Sequence, residues 1–176
     1  TAPTALTAPA APALGATLQT DAAVLRPLRA GARWTYAGVE VTAGGPSNYE
    51  ATVDTAASGT AFVETLRNVL NSGDDSATVT VAAGQVSSRL LLDITGAGQP
   101  GVLDVLELRS PVRVNDQWTV VERAGQALAA DFDNDRINDS GDYVIYSRVI
   151  GTEAVVLPRL GRSIDAVRVD TTLLLR

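Results

Sequence analysis

Hydrophobic and polar residues alternate with a period of two along most of the chain, as they do in β-strands that bury one face. In the stretch NYEATVDT, the apolar or aromatic Tyr49, Ala51 and Val53 interleave with polar residues. Turn signals rich in glycine, asparagine and aspartate separate the runs, which predicts a succession of short strands. The predicted strands fall within residues 31–42, 48–55, 76–83, 86–95, 100–111, 112–123, 143–150, 152–158 and 166–175.

The runs recur every 8 to 15 residues or so, without a long segment of helical period, which predicts an all-β protein. The only helical candidate is AFVETLRNVLN, at 61–71, and its β-branched residues favour a strand there. We expect an antiparallel sandwich or a partly open (half) barrel of about 8–10 strands.

The first 23 residues differ in composition from the rest of the chain. Residues 1–23 are low-complexity Ala/Thr/Pro sequence, which predicts a leader or tether that follows a removed export signal. They contain neither a charged start nor an apolar run long enough for a signal peptide or a membrane span. Residues 24–176 are expected to form a single β domain. Whether a lipid anchor precedes Thr1 stays open.

Two stretches of sequence resemble each other. LRPLRAGARWTY, at 25–36, and LRSPVRVNDQWTV, at 108–120, share Leu-Arg, a proline, an arginine and Trp-Thr, and their tryptophans lie 84 positions apart. One interpretation is an internal duplication of two related half-sheets. The other is two independent turns that each precede a strand containing tryptophan.

Charge and missing residue types narrow the functional classes. A net charge of −6 and a pI of about 4.6 argue against binding to nucleic acid or to anionic lipid. The chain has no Cys, Met, His or Lys. It therefore lacks the residues of a Ser-His-Asp triad, the usual zinc or haem ligands and a Schiff-base lysine. Carboxylates remain, which suit hard cations or Asp/Glu acid–base chemistry.

Three motifs resemble those of exported bacterial envelope proteins, many of them lipoproteins with a curved antiparallel sheet like that of half-barrel lipoprotein carriers. The resemblance covers residues 25–175. It implies an extracytoplasmic location in a bacterium, in the periplasm, outer envelope or cell surface, and an architecture rather than an activity. The motif residues are Pro27, Gly31, Trp34 and Tyr36; Pro111, Asn115, Asp116 and Trp118; and Gly151, Glu153, Val155, Leu157, Pro158, Gly161, Ile164, Ala166 and Val169.

An acidic stretch, DFDNDRINDSGDY, has the spacing D-x-D-x-D-x-x-x-D-x-x-D. It resembles the calcium loops of EF-hand-like, dockerin-like and thrombospondin type 3 proteins. Ca²⁺ takes six to eight oxygen ligands, and alternate carboxylates of a tight loop provide them together with a backbone carbonyl. We therefore predict a Ca²⁺ site with the ligands Asp131, Asp133, Asp135, Ile137 (through its carbonyl), Asp139 and Asp142.

Two features depart from that pattern. Arg136 occupies the sixth position, where glycine normally adopts positive φ, and Asp142 stands where a longer glutamate usually closes the site. Five aspartates against one arginine leave a charge of −4 within twelve residues, which favours a counter-ion. The alternative is a solvated acidic hairpin without metal.

These observations lead us to expect a non-enzymatic cell-envelope or surface-layer module, structural or interacting, that calcium stabilises and that docks onto a larger envelope complex. The alternative is a carrier or sensor that binds an apolar ligand in a half-barrel cavity, lined by Leu90, Leu91, Leu92, Ile94 and residues 173–175. A carboxylate-based hydrolase is a minor alternative. Its candidates alternate with apolar neighbours, as solvent-facing positions do: Glu64, Glu107 and Glu153.

Overall fold

The described part of the chain folds mostly into β-strands, as predicted, in three antiparallel sheets that are not closed into a barrel. A computed structural model describes residues 6–42, 45–68, 74–92, 101–128, 131 and 135–176. Its elements are β1 (Thr17–Gln19), α1 (Ala22–Leu25), β2 (Arg33–Thr42), β3 (Gly45–Ser58), β4 (Ala61–Asn68), β5 (Asp74–Ala82), β6 (Gln85–Leu92), β7 (Gly101–Arg109), β8 (Val112–Arg113), β9 (Gln117–Ala127), β10 (Ser140–Leu157) and β11 (Arg162–Leu175).

Strands that are neighbours in sequence are also neighbours in the two larger sheets. One sheet has six strands in the order β2 to β7, and the other has three in the order β9, β10, β11. The stretch that was a helical candidate forms β4, so the expected strand there is confirmed. The two-stranded pair of β1 and β8 brings the described strands to eleven, slightly above the expected number.

The main core lies between the six-stranded and three-stranded sheets. Val79 and Val86 of the larger sheet and Trp118 and Val149 of the smaller belong to one buried cluster. The Trp118 indole Nε1 donates a hydrogen bond of 2.7 Å to the Leu106 carbonyl, so its polar atom is satisfied at the core. None of the helices in the described part of the chain is long and apolar enough to cross a bilayer.

The expected leader lies against the domain over much of its length. Gly15 N donates to the Val114 carbonyl at 2.9 Å, and Val114 N donates to Ala16 at 3.0 Å. The side-chain amide of Asn115 donates to Ala13, and that of Gln117 donates to Pro9. These contacts place residues 9–16 of the Ala/Pro segment against the domain. Residues 1–5 lie outside the described residues.

Helix α1 closes the end of the core. Asp21 caps it by accepting a hydrogen bond from Ala23 N, and Ala22 N donates to the hydroxyl of Ser110 at 2.8 Å. Ala22 is fully buried, and Leu18 and Leu25 pack against the same core cluster. The residues just before and within α1 are therefore part of the folded domain.

The two similar stretches form the same backbone frame, as both interpretations of the sequence similarity allow. In the first Trp turn, residues 29–34, Gly31 N donates to the carbonyl of Thr55, and Thr55 N donates to Ala32. In the second Trp turn, residues 113–118, Asn115 N and Asp116 O make the same two bonds with Val149. Each turn also has a bond from the fourth residue's N–H to the first residue's carbonyl. The equivalent Gly31 and Asn115 both have positive φ, 77° and 65°.

Candidate functional site

The first half of the acidic loop is organised around one carboxylate. Asp131 accepts hydrogen bonds from the backbone N–H of Asp135 at 3.2 Å and of Arg136 at 2.8 Å. Asp135 in turn accepts from Ile137 N at 2.8 Å. Arg136 has φ of 71°, the left-handed conformation that the sixth position of a calcium loop normally gives to glycine. Position 136 therefore departs from the calcium-loop pattern in residue type but matches it in backbone conformation.

The last predicted ligand already has partners. Asp142 accepts a hydrogen bond from Gly125 N at 2.9 Å and one from the Arg176 guanidinium at 2.5 Å. These bonds, chiefly the one from Arg176, lower the pKa of the Asp142 carboxyl below its usual range. Two backbone hydrogen bonds also join Asp142 to Arg176, so the salt bridge closes the end of the β10–β11 hairpin.

The structure brings some of the predicted ligands near one another and leaves others apart. Asp131 and Asp135 share the loop turn, the Ile137 side chain is exposed, and Asp142 is held at the strand end by Arg176. Asp133 lies outside the described residues. Among the residues that are described, no three acidic side chains form a group able to hold a metal ion. The six-ligand site stays a prediction.

A buried ionic cluster links the N-terminal segment to the six-stranded sheet. The Arg26 guanidinium donates to Glu64 at 2.5 Å and to Glu107 at 3.1 Å, and the Ser88 hydroxyl donates to the other oxygen of Glu107. The expectation that Glu64 faces solvent was wrong, since it is only 8% exposed. Arg26, which comes from a different part of the chain, compensates the burial of Oε2, whereas Oε1 is buried without a hydrogen-bond partner among the described residues.

Beside this cluster, a cleft of about 550 Å³ opens between the segment 24–27, β7, β10 and β11. Most of its lining is apolar, and Arg26, Glu107 and Asp165 are its charged residues. The hydroxyls of Ser147 and Thr171 also line it and lie 2.9 Å apart. The apolar residues are Val24, Leu25, Pro27, Val105, Leu106, Leu108, Ile164, Ala166, Val167 and Val169.

The cleft does not use the walls predicted for an apolar ligand. Leu91, Leu173 and Leu175 are about half exposed or more and do not line it, and Ile94 lies outside the described residues. Leu90 and Leu174 are also missing from its lining. Both the cleft and the cluster escaped the sequence analysis because they join Arg26 to residues 38 and 81 positions away, a separation that leaves no local signal.

No protein family, curated protein or solved structure matches this chain.

Proposed function

We propose that this chain is a non-enzymatic module of the bacterial cell envelope in which Ca²⁺ stiffens the loop between β9 and β10. The proposal is carried by the loop's backbone: Arg136 takes the left-handed conformation, and its N–H, with that of Asp135, donates to Asp131. A non-glycine residue in that conformation costs on the order of 1 kcal/mol. A cation that requires this turn would offset that cost.

The bound ion would be held by the carboxylates of Asp131, Asp133 and Asp135, the carbonyl of Ile137, and Asp139 directly or through water. Asp142 would complete the site only by sharing or releasing Arg176, because both of its oxygens already accept hydrogen bonds. Calcium and Arg176 are thus competitors for one carboxylate.

The non-enzymatic part of the proposal is supported by how the carboxylates are used. Glu64 and Glu107 share one arginine, so each serves as an ion-pair acceptor rather than as a free acid or base. The envelope location and docking onto a larger complex rest on the Ala/Pro leader and on the resemblance to exported envelope proteins. The leader's own contacts within the domain neither require nor exclude such a partner.

The test is thermal and denaturant unfolding with EDTA and with millimolar calcium, on the natural chain and on Asp133→Ala. Calcium at a hundredfold excess over Kd should stabilise the natural chain by about 2.7 kcal/mol, and Asp133→Ala should lose that gain. Asp104→Ala is the matched control, because Asp104 is an exposed carboxylate on β7, outside the loop. If Asp133→Ala kept the stabilisation by calcium, or if the natural chain showed none, the proposed site would be wrong and the loop would be a solvated hairpin without metal.

A second variant tests whether Asp142 is a ligand. Arg176→Gln removes the competing guanidinium, so calcium should bind about threefold to tenfold more tightly if Asp142 closes the site. Isothermal titration measures this change. An unchanged Kd in Arg176→Gln, with the calcium gain still present, would remove Asp142 from the ligand set and leave the other five.

A further inference from the structure

The cleft beside Arg26 has the size and lining of a small-molecule site. Its volume of about 550 Å³ lies within the range of roughly 300–1,000 Å³ that ligand pockets span. Val167 and Val169 line the cleft and also pack against the main core, so core packing fixes the position of this side of the cleft. The walls come from the N-terminal segment and from both large sheets.

The charges in and behind the cleft are mostly negative. Arg26 is the only basic residue in the lining, and its guanidinium is already bound to Glu64 and Glu107. Asp165 lies on the exposed part of β11 and has no ion-pair partner within the described residues. One arginine against Glu64, Glu107 and Asp165 leaves a net charge of −2. An anionic head group would meet no free cation here, whereas a cationic one would meet Asp165.

From this combination we propose that the cleft binds an organic cation with an apolar body, such as an alkylamine, with its ammonium group at Asp165. The apolar part would lie between Val105 and Leu106 of β7 and Val167 of β11. The hydroxyls of Ser147 and Thr171, which share a hydrogen bond, add a polar position to the lining of the same space. The inference goes beyond the calcium proposal and does not depend on it.

The experiment compares two probes of equal chain length and opposite charge. Dodecylammonium and dodecanoate, each below its micelle concentration, compete with the neutral fluorescent probe N-phenyl-1-naphthylamine on the natural chain. Reversing the ligand's charge beside an exposed carboxylate changes binding by about tenfold or more, so dodecylammonium should displace the probe at about a tenth of the dodecanoate concentration. Equal potency, or preference for dodecanoate, would overturn the assignment of a cation.

Variants separate the cleft from the acidic surface as a whole. Asp165→Asn should bring the two probes to within about threefold of each other, and Asp165→Arg should reverse their order. Asp104→Asn, an exposed carboxylate away from the cleft, should keep the preference. Thr171→Trp should weaken every probe, because Thr171 lines the cleft on the same face of β11 as Asp165 and Val167. If Asp104→Asn lost the preference as fully as Asp165→Asn, or if Thr171→Trp bound the probes normally, the cleft would not be the site.

Discussion

The two Trp turns have one backbone frame and very different surroundings. The N-terminal segment covers the second turn. The side-chain amides of Asn115 and Gln117 hold this segment by donating hydrogen bonds to the carbonyls of Ala13 and Pro9. The equivalent positions of the first turn are Gly31, which has no side chain, and Arg33, which pairs with Asp54. Trp118 is buried at 7% exposure, whereas Trp34 is only partly covered.

The ion pairs made by residues of the two turns also differ in burial. Asp116, in the second turn, is 8% exposed and accepts two hydrogen bonds from Arg109, which also lies 5.9 Å from the centre of the Trp118 ring. Arg33 of the first turn pairs with Asp54 of β3 at the surface. Similar local sequence therefore gives the two turns the same backbone, and we expect the more covered turn to contribute more to the stability of the fold.

The largest difference is expected from the tryptophans. Trp118→Ala should destabilise the fold by about 3–5 kcal/mol, because it empties a buried site and leaves the Leu106 carbonyl without its donor. Trp34→Ala should cost less than about half of that, since its ring is partly exposed. Denaturant unfolding of both variants measures the difference. Equal losses would mean that the two turns are equally covered in solution.

A smaller difference is expected from the ion pairs. Asp116→Ala leaves Arg109 without its carboxylate and should cost about 1–3 kcal/mol, because Asp116 is buried. Asp54→Ala should produce a change close to the error of the measurement, as exposed ion pairs usually do. The same unfolding experiment compares them. A loss in Asp54→Ala as large as that in Asp116→Ala would contradict the assignment of the first turn to the surface.

The smallest effect concerns pH. The hydrogen bond from Arg33 lowers the pKa of Asp54 below its ordinary value of 3.8. The stabilisation that the ionised Asp54 carboxylate provides is therefore complete above pH 3.8. It is lost as the pH falls through the lower pKa that Asp54 has in the folded state. The difference between the natural chain and Asp54→Asn should be constant from about pH 5 upward and shrink in acid. A difference that grew as the pH fell would reverse the sign of this linkage.

The sequence predicted those features that depend on near neighbours. Alternation located most of the strands, although the predicted strands 143–150 and 152–158 form the single strand β10 and β1 was not predicted. The paired Trp-Thr stretches indicated the repeated frame, and the acidic spacing singled out position 136, which proved to be left-handed. Each of these is a property of fewer than about 15 consecutive residues.

Features built from distant parts of the chain could not be predicted. Glu64 alternates with apolar residues as a surface position would. Its burial is explained by its ion pair with Arg26, which lies 38 positions earlier in the sequence. The cleft likewise exists because β7 and β11 face each other across the core. Alternation reveals that a strand has two faces, but it does not reveal which face a distant segment will cover.

The N-terminal segment has a consequence for the order of events during synthesis. The meander sheets pair each strand with the one made just before it, so they can form as the chain emerges. By contrast, the hydrogen bond from Ala22 N to the Ser110 hydroxyl cannot form until Ser110, 88 residues later in the chain, has been synthesised. At typical elongation rates that delay is roughly 5 to 20 seconds. Ala22 can therefore take its place in the core only after β2 to β7 have been synthesised.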